Sequence, residues 1–134
     1  MRIPIPLGLI CLTGLGLAAC RGDETIAAYG AAEITWHLAE MDGLPFNAAA
    51  SLQFPESGVI SGSAPCNSYS AEQDAPYPWF DAQKLSVTRM SCGDLAAEGR
   101  FLQALQTMTL SEVSGGMLIL SNDAGRELVF RAAE

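Results

Sequence analysis

The positions of the four cysteines decide how this chain can be built. Cys11 and Cys20 belong to the N-terminal stretch, whereas Cys66 and Cys92 lie in the remaining sequence. If processing uses up the first two, the other two are left as an even pair. Such a pair in an oxidising compartment predicts a disulfide.

The N-terminal stretch has the pattern of an export signal. Arg2 supplies a small positive start, and residues 7–17 form an apolar run rich in Leu and Gly. The run is too short to cross a bilayer, and its flanks are typical of a signal peptide. No later apolar run in the sequence is long enough to span a membrane.

The end of this signal resembles a bacterial lipobox, Leu17-Ala18-Ala19-Cys20. The resemblance implies cleavage before Cys20, lipidation of its thiol and N-acylation, and several acyl chains on one residue make a stable anchor. The alternative is an ordinary secretory signal cut near Ala19, which leaves a free Cys20. Arg21 follows, where aspartate would resemble an inner-membrane retention signal. We therefore expect an anchor in the outer membrane, on its periplasmic face.

Processing then divides the chain into three parts. Residues 1–19 are the signal peptide, 20–33 are a lipidated, flexible tether, and 34–134 are one small domain. Cys11 leaves with the signal and Cys20 carries the lipid, so Cys66 and Cys92 are predicted to form the disulfide. A domain of this size buries a limited core, and a cross-link is useful there.

The charge balance argues against several partners. The sequence has 15 acidic and 7 basic residues, a formal net charge of −8. Such a surface repels nucleic acid and anionic headgroups. The positive residues are also dispersed, without a basic patch that carries interleaved aromatic residues. We expect a soluble, monomeric domain that binds no nucleic acid.

Alternating apolar and polar residues predict a sequence of short strands. In the first, Ile34, Trp36 and Leu38 point inward and His37 points outward. Turn signals such as Asp42-Gly43 separate the strands. The strand candidates are 34–38, 51–54, 59–62, 66–72, 79–80, 85–90, 109–113, 117–120 and 127–130.

One helix interrupts this series. It is predicted to start near Asp94, a good N-cap residue, and Glu98 and Arg100 fall away from its apolar face. That face carries Leu95, Phe101, Leu102, Leu105 and Met108. The order of strands, helix and strands predicts an α+β fold, in which a strongly curved, mostly antiparallel sheet packs against one helix.

Several of these motifs together resemble the META domain, the domain of the heat-shock protein HslJ and related envelope lipoproteins. They include Trp36-x-Leu38, Cys66-Asn67 and Thr88-Arg89-Met90-Ser91-Cys92, and the resemblance runs from about Ile34 to Arg131. Pro65 stands where the family usually has glycine. The resemblance implies a bent sheet on a helix and an association with heat or envelope stress. It implies no catalytic activity.

Three sets of residues suggest a nucleophilic, metal-binding or carboxylate site, and each also has a structural explanation. Cys66, His37 and Asn67 form a formal Cys/His/Asn set for a hydrolase-like enzyme, but a catalytic cysteine must be a free thiolate. Cys66, Cys92 and His37 lack the spacing of a zinc site. Glu72 and Asp74 lie in a Pro-rich loop as solvated residues. We expect no enzyme, cofactor or metal.

The remaining candidates are binding or structural residues. Asn67 is expected mainly to bond the backbone of its own turn. Thr88, Arg89 and Met90 belong to the Thr88–Cys92 motif. We expect Arg89 to be exposed or ion-paired and Met90 to lie in the core. The aromatic residues of the Pro-rich stretch are candidates for an exposed binding surface: Tyr77, Trp79 and Phe80.

Three functions remain open at this point. The first is a lipid-anchored, non-enzymatic accessory module that binds an envelope protein or a hydrophobic ligand. The second is an enzyme that uses Cys66 or the loop carboxylates. The third is a purely structural lipoprotein without a ligand pocket.

Overall fold

A computed structural model describes Pro4 and residues 22–133 of the chain. Apart from Pro4, the predicted signal peptide lies outside the described residues, and so do Cys11 and the predicted lipidation site, Cys20. In the described part, no helix is both long enough and apolar enough to cross a membrane.

Within residues 22–133, the structure has nine short strands and one α-helix, preceded by a single turn of 3₁₀ helix at Ile26–Tyr29. The α-helix, α1, runs from Leu95 to Thr107 between the sixth and seventh strands. The strands are β1 (Trp36–Met41), β2 (Leu44–Pro45), β3 (Ser51–Glu56), β4 (Gly58–Ser63), β5 (Ser68–Gln73), β6 (Gln83–Val87), β7 (Leu110–Ser114), β8 (Met117–Ser121) and β9 (Glu127–Ala132).

All strand pairs are antiparallel, and the sheet curls into a half-barrel. The strand order is β6-β5-β4-β3-β1-β9-β8-β7, with the short β2 paired only to β1. The two edge strands, β6 and β7, are therefore consecutive in sequence and joined by α1. The predicted α+β class, with a curved sheet on one helix, is confirmed.

The segment before β6 brings the two edges of the sheet towards each other. Trp79 forms an isolated antiparallel bridge with Leu110 of β7. The N–H of Phe80 donates to the Thr109 carbonyl at 2.9 Å, and that of Ser111 to the Pro78 carbonyl at 2.7 Å. These bonds cover part of the outer edge of β7, which would otherwise present unpaired backbone groups.

The core lies between the concave face of the sheet and α1. Trp36 and Leu38 are buried while His37 is exposed, as the alternation predicts. From α1, Phe101, Leu102 and Leu105 point into the same core. The Phe101 ring meets Phe130 of β9 and Tyr69 of β5 edge-on, with centroids 6.4 and 5.6 Å apart.

Three expectations about the helix differ from the structure. Asp94 occupies the N-cap position, but its side chain caps no backbone N–H. Leu95, predicted on the apolar face, is 44% exposed. Glu98, predicted to fall away from that face, is buried. The first turn therefore packs by a polar contact, and the apolar stripe takes over from Phe101.

Part of the segment predicted as a tether packs against the domain. Thr25 and Ile26 are buried, and Ile26 is wholly so. The Trp36 indole N–H donates to the Ala31 carbonyl at 3.1 Å, which ties this segment to β1. Tyr29 stacks on Tyr77 with ring centroids 4.6 Å apart. The folded unit thus begins at Thr25, because a few apolar residues cover one end of the core.

Gly62 of β4 fills a position where the backbone has no room for a side chain. A Cβ there would lie 2.0 Å from the carbonyl oxygen of Ser51 and 2.9 Å from the hydroxyl of Tyr69. That hydroxyl donates to the same Ser51 carbonyl at 2.7 Å. Burial raises the pKa of Tyr69, so the phenol stays protonated and remains a donor.

We expect Gly62→Ala to destabilise the domain, because the added methyl group must displace backbone of β3. Overpacking of this kind costs about 1–3 kcal/mol. Gly99→Ala is the matched control, since a Cβ at this helical position meets nothing within 4 Å. The control should stabilise the domain by up to about 1 kcal/mol. Urea denaturation measures both, and equal effects would contradict the packing seen at Gly62.

Candidate functional site

The Cys66-Asn67 motif and the Thr88-Arg89-Met90-Ser91-Cys92 motif meet at one end of the β4–β5 hairpin. The turn between these strands, residues 64–67, contacts the segment that follows β6 and the first turn of α1. Asn67, which is 6% exposed, and Glu98, also 6% exposed, lie at the centre of this junction. Asn67 lies in the turn between β4 and β5, and Glu98 lies in α1.

The side chain of Asn67 makes four hydrogen bonds. Its Oδ1 accepts from the Thr88 hydroxyl at 2.9 Å and from the Met90 N–H at 2.6 Å. Its Nδ2 donates to the Met90 carbonyl at 3.0 Å and to Glu98 Oε2 at 2.8 Å. The amide therefore holds both backbone groups of Met90. Its expected structural role is present, but its partners lie beyond its own turn.

Glu98 completes the junction without a basic partner. Its Oε1 accepts from the N–H groups of Cys66 and Asn67 at 3.0 and 2.8 Å, and its Oε2 accepts from the Asn67 amide. Three donors thus replace the water that a buried carboxylate loses. The carboxylate also lies in the first turn of α1, where the helix dipole favours negative charge.

A disulfide closes the same junction. Cys66 and Cys92 are joined, with their Cα atoms 5.7 Å apart. Cys66 is half-buried in the turn, and Cys92 is exposed on the segment before α1. The pairing that the cysteine positions predict is thus present in the structure.

The result is an exposed segment, residues 88–96, that comprises the loop before α1 and the first two helical residues and is fixed at Thr88, Met90 and Cys92. All nine of its residues are exposed. Thr88 and Met90 bond to Asn67, and Cys92 is cross-linked. The N–H of Asp94 contacts the Cys92 sulfur at 3.4 Å. We call this segment the clamped loop.

Within the Thr88–Cys92 motif, Met90 differs most from its predicted position. The sequence predicts it in the core, but its side chain is 68% exposed. The physical reason is that its N–H and carbonyl both turn inward to Asn67, which leaves the side chain outside. Arg89 is exposed, as predicted.

The aromatic candidates lie elsewhere, at the junction with β7. Trp79 is 57% exposed, but Phe80 is 2% exposed and belongs to the core. Tyr77 is half-buried under its stack with Tyr29. Phe80 is therefore not part of an exposed binding surface, since its N–H bonds to Thr109 and its ring packs in the core.

The candidate nucleophile of the formal Cys/His/Asn set is not a free thiol in the structure. The sulfur of Cys66 is bound to Cys92. His37 is exposed on β1 and lines a shallow depression of about 250 Å³ with Ser51, Ser63 and Ala64. Glu72 pairs with Lys84 at 3.4 Å on the surface. Over residues 22–133, no group of three or more His, Cys, Asp or Glu side chains is placed to hold a metal ion.

Sequence reasoning missed Glu98, although its helical spacing could have revealed its burial. Glu98 lies three, four and seven residues before Phe101, Leu102 and Leu105, so the helical period places it on the same face as these buried residues. A carboxylate in the first turn of a helix is also favoured by the dipole when it is exposed, so its charge alone does not indicate which groups it bonds. Its partners are 31 and 32 residues away in sequence, and no local pattern connects them.

The family model of the META domain matches residues 30–134. The chain belongs to the META domain family. The two sequence motifs through which the chain resembles this family are the ones that meet at Asn67. No curated protein matches the chain significantly.

Solved structures show that the META fold of this chain recurs. A protein from Burkholderia xenovorans is 22% identical, with a TM-score of 0.64 over 80% of this chain and 86% of its own. A DUF4847 family protein from Bacteroides vulgatus is 13% identical, with a TM-score of 0.62 over 78% of this chain and 96% of its own. At these identities the likeness concerns the fold alone.

Glu98→Gln should destabilise this META domain. Whichever way the new amide turns, its NH₂ group faces an N–H donor, either Asn67 Nδ2 or the backbone of Cys66 and Asn67. Leaving buried donors unpaired costs about 1–3 kcal/mol. Glu112→Gln, at an exposed position on β7, is the control and should change stability by less than about 0.5 kcal/mol. Urea unfolding compares the two, and an unaffected Glu98→Gln protein would disprove the role of this carboxylate.

Proposed function

We propose that this protein is a lipid-anchored, non-enzymatic accessory module of the cell envelope, and that its clamped loop binds a partner protein. The observation that carries the proposal is the combination of full exposure and tight fixation in residues 88–96. Most exposed loops are mobile, and their ordering on binding opposes association. A loop that is already fixed avoids much of this loss.

The chemistry of the loop suits protein recognition. Met90 and Leu95 are among the few large apolar side chains exposed on the described surface. Arg89 adds a guanidinium group beside Met90. Arginine and methionine are both enriched at protein interfaces, and an unbranched thioether adapts to irregular apolar pockets. We therefore assign Met90 as the central contact and Arg89 as its polar neighbour.

The non-enzymatic part of the proposal rests on the state of the candidate nucleophile. Cys66 is bonded to Cys92, so it offers no thiolate. Its N–H and that of Asn67 are committed to Glu98, so they do not form a free pair of donors for an oxyanion. The groups that a hydrolase would use are employed in holding the loop.

Location and physiological role follow from the sequence. The Leu17-Ala18-Ala19-Cys20 signature supports lipidation of Cys20, and the disulfide suits an oxidising compartment. We propose attachment to the periplasmic face of the outer membrane. The resemblance to heat-shock lipoproteins supports a role in tolerance of heat or envelope stress.

Metabolic labelling with a palmitate analogue tests the anchor. The wild-type protein should take up the label and sediment with membranes. Cys20→Ser should lose the label and appear in the soluble fraction. Cys11→Ser is the matched control and should keep it, because Cys11 leaves with the signal peptide. An unlabelled wild-type protein, or label that survives Cys20→Ser, would contradict the proposal.

Photocrosslinking in living cells tests the loop. A photoreactive amino acid at position 90 should give one discrete adduct, whereas the same group at position 103, exposed on α1, should not. The adduct should weaken in a Cys66→Ala/Cys92→Ala background, because the loop then loses one of its fixed points. Equal adducts from positions 90 and 103 would show that the loop is not the binding surface.

A further inference from the structure

The place where the N-terminal segment joins the domain is at the opposite end of the β4–β5 hairpin from the clamped loop. β4 and β5 pair along their whole length, from Gly58 opposite Gln73 to Ser63 opposite Ser68. The Ser63 end carries Cys66 and Asn67. The Gly58 end is flanked by Ser57 and Asp74, and we call it the anchor end. Strands of six residues place the two ends about 17 Å apart.

Several contacts fix the N-terminal segment at the anchor end. The Tyr77 N–H donates to the Glu24 carbonyl at 2.8 Å. The side chain of Asp23 accepts from the Thr25 hydroxyl at 2.5 Å and from the Thr25 N–H at 2.8 Å. The bond from the hydroxyl is the main reason that the pKa of Asp23 is lowered, with a smaller contribution from Ser57. Buried Ile26 follows directly. The chain therefore enters the fold beside the β3–β4 turn and the loop that begins at Asp74.

Only four residues, Arg21 to Glu24, separate Cys20 from Thr25. Fully extended, the connection from Cys20 to Thr25 spans at most about 18 Å. This length is comparable with that of the hairpin itself. A lipidated Cys20 would consequently keep the anchor end close to the bilayer, and the domain could not turn its opposite end to the surface without releasing Thr25 and Ile26.

We propose that the anchor end of this META domain faces the headgroups of the bilayer and that the clamped loop points away from the membrane. This inference rests on the proposed lipid anchor. It assigns the partner a position, since a protein that binds Met90 must approach from the aqueous side. The short connection, rather than any membrane-inserting side chain, sets the orientation.

The charge of the anchor end indicates which lipid surface it fits. Asp23, Glu24, Glu56 and Asp74 are exposed there. None of the four takes part in the ion pairs of the described residues, which join Lys84 to Glu72 and Arg126 to Asp42. Anionic headgroups would repel this end within a Debye length, about 8 Å at physiological salt. The matching surface is a zwitterionic one, whose headgroups carry an ammonium group.

Paramagnetic relaxation in nanodiscs tests the orientation. The lipidated mature protein is placed in discs of phosphatidylcholine and phosphatidylethanolamine that contain a headgroup-labelled paramagnetic lipid. Because the effect falls with the sixth power of distance, amides of Ser57 and Asp74 should relax at least about ten-fold more than those of Asn67 and Met90, given ends about 17 Å apart. Equal enhancement at both ends would overturn the inference.

A matched insertion variant separates orientation from anchoring. Adding about twelve Gly and Ser residues after Gly22 gives an extra r.m.s. span of ~19 Å. The fold and the lipid stay intact, and the difference between the two ends should shrink several-fold. A difference that survives the insertion would show that something other than the short connection orients the domain.

Two further readings complete the test. Mass spectrometry of the mature protein reports whether Cys20 is acylated, and a missing acyl group defeats the proposed anchor. Acylation with equal enhancement at both ends defeats only the orientation. Replacing half of the lipid by phosphatidylglycerol should lower the enhancement at Ser57 and Asp74, and an increase would overturn the assignment of a zwitterionic surface.

Discussion

The hydrogen bonds around Glu98 are the interaction on which one whole end of the domain depends. A buried carboxylate without a cation is costly unless its oxygens are fully bonded. Here the donors are the backbone of Cys66 and Asn67 and the Asn67 amide. These donors are correctly placed only while the turn keeps its shape, and the turn keeps its shape partly through Cys92. Helix, turn and loop therefore stabilise one another, as expected for a connected polar network.

The same junction helps to set the curvature of the sheet. β6 and β7 follow each other in sequence but occupy opposite edges, so α1 has to connect them across the concave face. Glu98 fixes the start of the helix against the β4–β5 turn, and Phe101 and Leu105 pack its next turns on the sheet. The disulfide, which joins residues 26 apart, adds about 3.5 kcal/mol in the chain-entropy account. A flat sheet would separate these contacts.

Much of this fold can be predicted from sequence, and the exceptions have physical causes. The two-residue period of a strand correctly predicts that Trp36 and Leu38 are buried. The 3.6-residue period of a helix does the same for Phe101 and Leu105, because both patterns are local. The hydrogen-bond partners of Glu98 and the exposure of Met90 depend on groups more than twenty residues away in sequence. The segment around Ile26 packs against the core, but it has too few apolar residues to form a recognisable pattern. The disulfide between Cys66 and Cys92 is predictable because the other two cysteines lie in the signal-like N-terminal stretch.

The exposure of Met90 bears on function because its backbone is fixed by the fold while its side chain is not packed in the core. A side chain that is 68% exposed buries little apolar area, so it contributes little to folding. The backbone of the same residue is nevertheless held by Asn67 through both its N–H and its carbonyl. The fold thus needs a residue at this position but does not need a methionine. Because folding does not require a thioether at this position, we attribute the methionine side chain to contact with the proposed partner, which binds the loop from the aqueous side.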